Sequence, residues 1–130
     1  MKYDLALALK KAGFPQPYHG GCRGMWFVSG HLKTTWEHAM ALIEQDGTIP
    51  DPKECFVYEP TLEELVGSFF TRFESLTQTG KDVWVASAKH DEHGLMQQQD
   101  SDAERAVAKL FVKWMGGTLP EDIQYNQMFL

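Results

Sequence analysis

Two imidazoles and two carboxylates fall within four consecutive residues at His90-Asp91-Glu92-His93. Side chains of these kinds could supply nitrogen and oxygen ligands to zinc or a similar ion. The spacing weighs against that reading. His-x-x-His serves a metal best on a helix or with further ligands arriving from elsewhere, whereas this tetrad runs into Gly94 and reads as a hairpin turn. Turns are polar for solvation alone. A second cluster, His19-Gly20-Gly21-Cys22-Arg23, could hold an activated thiolate at Cys22, with the charge of Arg23 favouring it. Its consecutive glycines could also present backbone amides to an anion. The order of elements excludes a phosphate loop, which runs from strand through loop into helix and ends in GK[ST]. Here an apolar strand follows instead. No partner acid or second histidine completes a catalytic set. His19, Cys22, His90 and His93 are thus the metal or catalytic candidates, and the simpler account is a Gly-rich loop with an unreactive thiol and a solvated turn.

Carboxylate pairs at Glu63-Glu64, Asp91-Glu92 and Glu121-Asp122 could suggest a glycosidase or nuclease, which needs two acids brought together in a cleft. Glu64 is accounted for by helix capping, and adjacent helical residues point in different directions. The tryptophans (Trp26, Trp36, Trp84 and Trp114) could stack nucleic-acid bases, but no basic residues interleave with them. Trp114 and Trp36 fall on core-facing stripes, so core packing is the better reading. No catalytic residue and no cofactor is expected.

The elements that must position these groups fit one domain. A chain of 130 residues, 43% hydrophobic and 23% charged, can bury a real core and is not disordered in bulk. Its net charge of −6 argues against direct binding to nucleic acid or an anionic membrane, since both attract positive charge. No run approaches the roughly 20 apolar residues of a membrane helix. The N-terminus lacks a secretory pattern, so Cys22 and Cys55 are expected reduced in a cytosolic protein.

Leu5, Ala8, Leu9 and Ala12 predict an amphipathic helix over 3–12, stopped by Gly13 and followed by a Gly/Pro loop to residue 24. Met25-Trp26-Phe27-Val28 reads as a buried strand. Thr34 and Glu37 form a possible capping box for a helix carrying Trp36, Ala39, Met40 and Ile43, and Cys55-Phe56-Val57-Tyr58 reads as a short strand. After the Thr61/Glu64 capping box, Leu62, Leu65, Val66, Phe69, Phe70 and Phe73 hold helical spacing and predict one helix, followed by a polar break over 77–80. Residues 82–89 and 95–98 predict a hairpin. Ser101 and Glu104 then cap a helix through Trp114, ended by Gly116-Gly117. The expected fold is a single α+β domain: a helix–hairpin–helix core over 54–116, with a small antiparallel sheet packed against two or three amphipathic helices. A tail over 117–130 leaves Tyr125, Met128, Phe129 and Leu130 available to fold back or meet a partner.

Leu9-Lys10-Lys11-Ala12-Gly13-Phe14-Pro15-Gln16, Pro60-Thr61-Leu62-Glu63-Glu64-Leu65, Trp84-Val85-Ala86 and Ala103–Leu110 together resemble motifs in a group of small uncharacterised proteins encoded by bacteriophages and prophages. Those proteins carry an LKxAGFPQ opening, a PTLxELI segment, a WxA strand and a TPEEAVARLW-type helix. The resemblance covers chiefly residues 5–16 and 60–114. Val66-Gly67-Ser68 stands where the group often has Ile-Glu-Ala, Ser101-Asp102 replaces Thr-Pro, and residues 30–53 have no counterpart. It implies a phage or prophage accessory protein in a bacterial cytoplasm. No activity is attached to the group, so it brings no site residues.

The expected function is a non-enzymatic protein-interaction module with a host or phage protein as partner. A homodimer is compatible if an aromatic surface remains after folding. One alternative is a metal-binding protein or small enzyme using the His19/Cys22 loop and the 90–93 turn. Another is an acidic anti-defence inhibitor, disfavoured because the acids are spread along the chain.

Overall fold

The backbone's local chemistry is clearest where helices stop. The computed structural model describes residues 2–17, 23–28, 31–33, 41 and 55–121. The Gly-rich loop with His19 and Cys22, the helix expected after Thr34, and the tail residues Tyr125, Met128, Phe129 and Leu130 lie outside them. Helix α1 (Tyr3–Lys11) buries Leu5, Ala6, Ala8 and Leu9 and ends at Gly13, whose φ of 102° only glycine adopts cheaply. The Phe14 amide donates to the Leu9 carbonyl and the Gly13 amide to that of Lys10, which closes the helix with a Schellman motif.

The described chain divides into two units, one from Pro15–Pro60 and one from Met1–Phe14 with Thr61–Leu130. In the first, β1 (Gly24–Val28) is the central strand of an antiparallel sheet, flanked by β2 (His31–Lys33) and β3 (Phe56–Tyr58). Strands β1 and β3 match the apolar runs of the sequence; β2 has no such signal. Met25 pairs with Val57 and Trp26 with Phe56, whose rings lie 5.0 Å apart. A Cβ on Gly24 would sit 2.1 Å from the Phe56 ring and 2.9 Å from the Val57 carbonyl oxygen. Only glycine lets the two strands close over that ring. Gln16 Oε1 accepts from the Tyr58 amide at 2.8 Å, tying the segment after α1 to β3.

In the second unit, α2 (Leu62–Gly67) starts with the full capping box: Glu64 N–H donates to Thr61 Oγ1 and Thr61 N–H donates to Glu64. It then departs from expectation. The helix expected to run to Phe73 stops at Gly67, gives way to a 3-10 turn at Phe70–Arg72, and becomes strand β4 (Phe73–Gly80). Gly67 is a poor helix residue, and Ser68 Oγ donates to the Leu65 carbonyl at 2.6 Å, taking an acceptor from the helix ladder. The expected polar break over 77–80 is therefore the end of a strand.

Strands β4, β5 (Val83–His90) and β6 (Gly94–Asp100) form an antiparallel meander in that order. The expected hairpin is β5–β6, and β4, like β2, has no counterpart among the expected strands. Helix α3 (Ala103–Trp114) packs on β5 and β6. Its N-cap is Asp102 rather than Ser101: the Asp102 carboxylate accepts from the amides of Glu104 and Arg105. At its far end, Gly117 N–H donates to the Val112 carbonyl and Gly116 N–H to that of Lys113, a second Schellman closure. The helix buries Ala106, Val107, Ala108, Leu110, Phe111 and Val112, a wider face than the stripe alone requires. Ala86 and Ala88 of β5 are also buried, and small side chains there let the helix approach the sheet. Leu65 and Phe69 complete the core with Leu5 and Leu9 of α1, which packs on α3. The protein is thus α+β. Among the described residues, no helix is long and apolar enough to cross a membrane.

Candidate functional site

The 90–93 turn meets two other elements in an aromatic cluster. The Phe69 ring, just after α2, lies 5.5 Å from Trp114 at the end of α3; Trp114 lies edge-on 5.3 Å from His90; and His90 stacks 4.7 Å from His93. Trp114 Nε1 donates to the Lys89 carbonyl at 3.0 Å, so the indole's one polar group is satisfied. Arg72 Nη1 reaches Asp91 at 2.6 Å, joining the 3-10 turn to the hairpin turn.

His90 has a defined task here. Its Nδ1 accepts from the amides of Glu92 and His93 at 3.1 and 3.3 Å, so the imidazole orders the turn. A ring whose Nδ1 is committed in this way has only Nε2 left to offer. Asp91 is engaged by Arg72. Among the described residues, no group of three or more His, Cys, Asp or Glu is placed to hold a metal ion. Of the sequence candidates, His90 and His93 are brought together, and His19 and Cys22 fall outside the described residues. Glu63 is exposed and Glu64 caps α2, so that pair does not converge.

Beside this cluster stands Phe70. It is 87% exposed, and its φ is 54°, the left-handed region that a bulky L residue occupies at a cost of roughly 1–2 kcal/mol. It follows the buried Phe69 and lies two residues before Arg72. Phe69 is buried against Phe111 and Trp114, and Arg72 is held by Asp91. Phe70 and Thr71, both exposed, lie between them, and the Phe70 ring projects to solvent. The spacing of the sequence put Phe70 on a core stripe with Phe69 and Phe73; the early end of α2 turns it outward. A Gly67-Ser68 pair inside the apolar pattern was the available signal for that break.

A second candidate surrounds the start of α3. Lys109 Nζ bridges Asp100 at 2.7 Å and Glu121 at 2.8 Å, and Arg105 Nε lies 3.4 Å from Asp100. The side chains of Asp100 and Lys109 are only 9% and 12% exposed. Burial by itself pushes the Asp100 carboxyl upward, but the hydrogen bonds from Lys109 and the Asp102 amide, with the charges of Lys109 and Arg105, bring it below the usual carboxylate range. Burial likewise disfavours the charged Lys109, and Asp100 and Glu121 more than offset it, so its ammonium titrates above the usual lysine range. The basin alongside, about 610 Å³, is lined by Lys2, Asp100, Ser101, Asp102 and Arg105. Its acids are already spent, Asp100 on the ion pairs and Asp102 on the helix cap. This is a structural clamp across β6, α3 and Glu121.

Comparison with protein-family models, with curated proteins and with solved structures finds no match.

Proposed function

We propose that this chain is a non-enzymatic protein-interaction module that presents Phe70 as an aromatic anchor to a protein partner. The supporting observation is the combination at that residue: an exposed phenyl ring on a backbone held in the left-handed region. Lone exposed apolar residues are common and need no explanation. One held at a backbone cost is different, because a glycine or asparagine would relieve it and the sequence keeps phenylalanine. Buried aromatic anchors dominate the energetics of protein interfaces, and an aromatic side chain has few torsions to lose on docking. The resemblance to phage and prophage accessory proteins fits this reading and makes a bacterial or phage protein the expected partner in a bacterial cytoplasm.

The test compares the native chain with Phe70→Gly as bait in bacterial lysate. The native chain is expected to retain a partner at defined stoichiometry, and the variant to lose it. Thermal melting should show the variant at least as stable as the parent, since it sheds about 1 kcal/mol of backbone cost and little buried surface. Retention of the same proteins by both baits, or of none by either under gentle conditions, would rule the reading out.

A further inference from the structure

The two edges of the β4–β5–β6 sheet are built differently. Along β4 the register with β5 slips twice, between Phe73 and Ser75 and between Gln78 and Gly80. Bulges of this kind twist an edge and discourage further pairing, and the exposed Glu74, bound to Lys89, adds charge there. Strand β6 has none of these devices. It pairs with β5 without a slip through seven residues, from His90↔Gly94 to Trp84↔Asp100. It contains no proline and no lysine, and its lone charge is Asp100 at one end, already engaged by Lys109 and Arg105. Among the described residues, β6 pairs with β5 alone. Leu95 is 56% exposed, and Gln97 and Gln99 on the same face are exposed with it.

We propose that β6 is the pairing edge for a second copy of this chain, joining two sheets into one antiparallel six-stranded sheet about a two-fold axis at Gln97. The sequence of the strand is self-complementary in that register. Gln97 faces its own counterpart, Met96 faces Gln98, Leu95 faces Gln99, and Gly94 faces Asp100. No like charges oppose each other, although the chain carries a net charge of −6. A glutamine amide has both donors and acceptors, so two identical side chains can bond across the axis where two lysines or two glutamates would repel. Pairing by this rule keeps side-chain parity: the open faces of both sheets lie on one side and both α3 helices on the other. The surface is separate from Phe70, so the proposal stands independently of the anchor reading.

Sedimentation of the full chain tests it. The native protein should show a monomer–dimer equilibrium with a Kd on the order of 10 µM, as befits a small interface of one strand pair. Gln97→Lys and Gln97→Glu place like charges at the axis, and each alone should weaken the dimer by at least about tenfold. Mixing the two variants should restore it, which also shows that neither has lost its fold. Thr77→Lys, on the β4 edge, should leave the Kd unchanged. A native chain that stays monomeric up to about 100 Kd of that expectation, a dimer indifferent to both Gln97 variants, a mixture that fails to re-form it, or dissociation by Thr77→Lys would each overturn the proposal.

Discussion

At single residues, this chain shows two opposite uses of backbone geometry. Gly24 is where a side chain cannot be added, because the Phe56 ring and the Val57 carbonyl fill the space. Gly24→Ala should therefore destabilise the protein by more than about 2 kcal/mol, read as a lowered midpoint in urea unfolding. Phe70 is where a side chain is kept despite the backbone cost, and removing it is expected to help stability while harming association. That contrast separates a packing residue from a presented one. His90 lies between the two: from the sequence it looked like half of a metal site, and in the fold its Nδ1 ties down the amides of Glu92 and His93. Composition could place the imidazoles together; only the hydrogen bonds assign their work.

At the level of elements, what was legible followed from local signals strong enough to survive their surroundings. The Thr61/Glu64 box, the hairpin over 83–100 and the helix through Trp114 all carry their own caps or periodicity. Strand β4 was hidden because its Thr77-Gln78-Thr79 stretch shows no apolar alternation, as befits an edge strand with an open polar face. The apolar spacing from Leu62 to Phe73 misled for the converse reason. Helical spacing continues through Gly67-Ser68, but the helix does not, and the later aromatics are shared between core, turn and strand. The start of α3 was misplaced by one residue, since Asp102 outcompetes Ser101 as cap. Asp102→Ala should lower stability by about 1 kcal/mol, and Ser101→Ala by much less, a difference that paired thermal melts can read.

Across the whole molecule, the clamp of Asp100, Lys109, Arg105 and Glu121 sets how stability depends on pH. The Asp100 carboxyl titrates lower in the folded chain than in the unfolded one, so its contribution is complete above about pH 4 and is lost as pH falls through the depressed folded value. Lys109 titrates higher in the folded chain, so its contribution holds below about pH 10 and is lost as pH rises through the raised folded value. Stability measured against pH should show a plateau between these limits. Asp100→Asn should lower that plateau by about 2 kcal/mol and reduce the fall on its acid side, because a buried cation has lost its main partner. The absence of an acid-side change in the variant would assign acid unfolding to other carboxylates. None of this clamp was visible in composition, since it depends on β6, α3 and Glu121 converging in space.

The discontinuity of the second unit bears on how the protein is made. Helix α1 leaves the ribosome well before α3, the helix it packs on, and the Phe14 ring waits for Phe111 to close against it at 5.2 Å. Residues 15–60, which form their own unit, are translated in between. During synthesis Leu5, Leu9 and Phe14 are therefore exposed, greasy and unpartnered by α3, while the intervening strands already have their neighbours. A nascent chain arrested before Leu110 would leave that apolar helix face without α3 to cover it, open to chaperones and proteases.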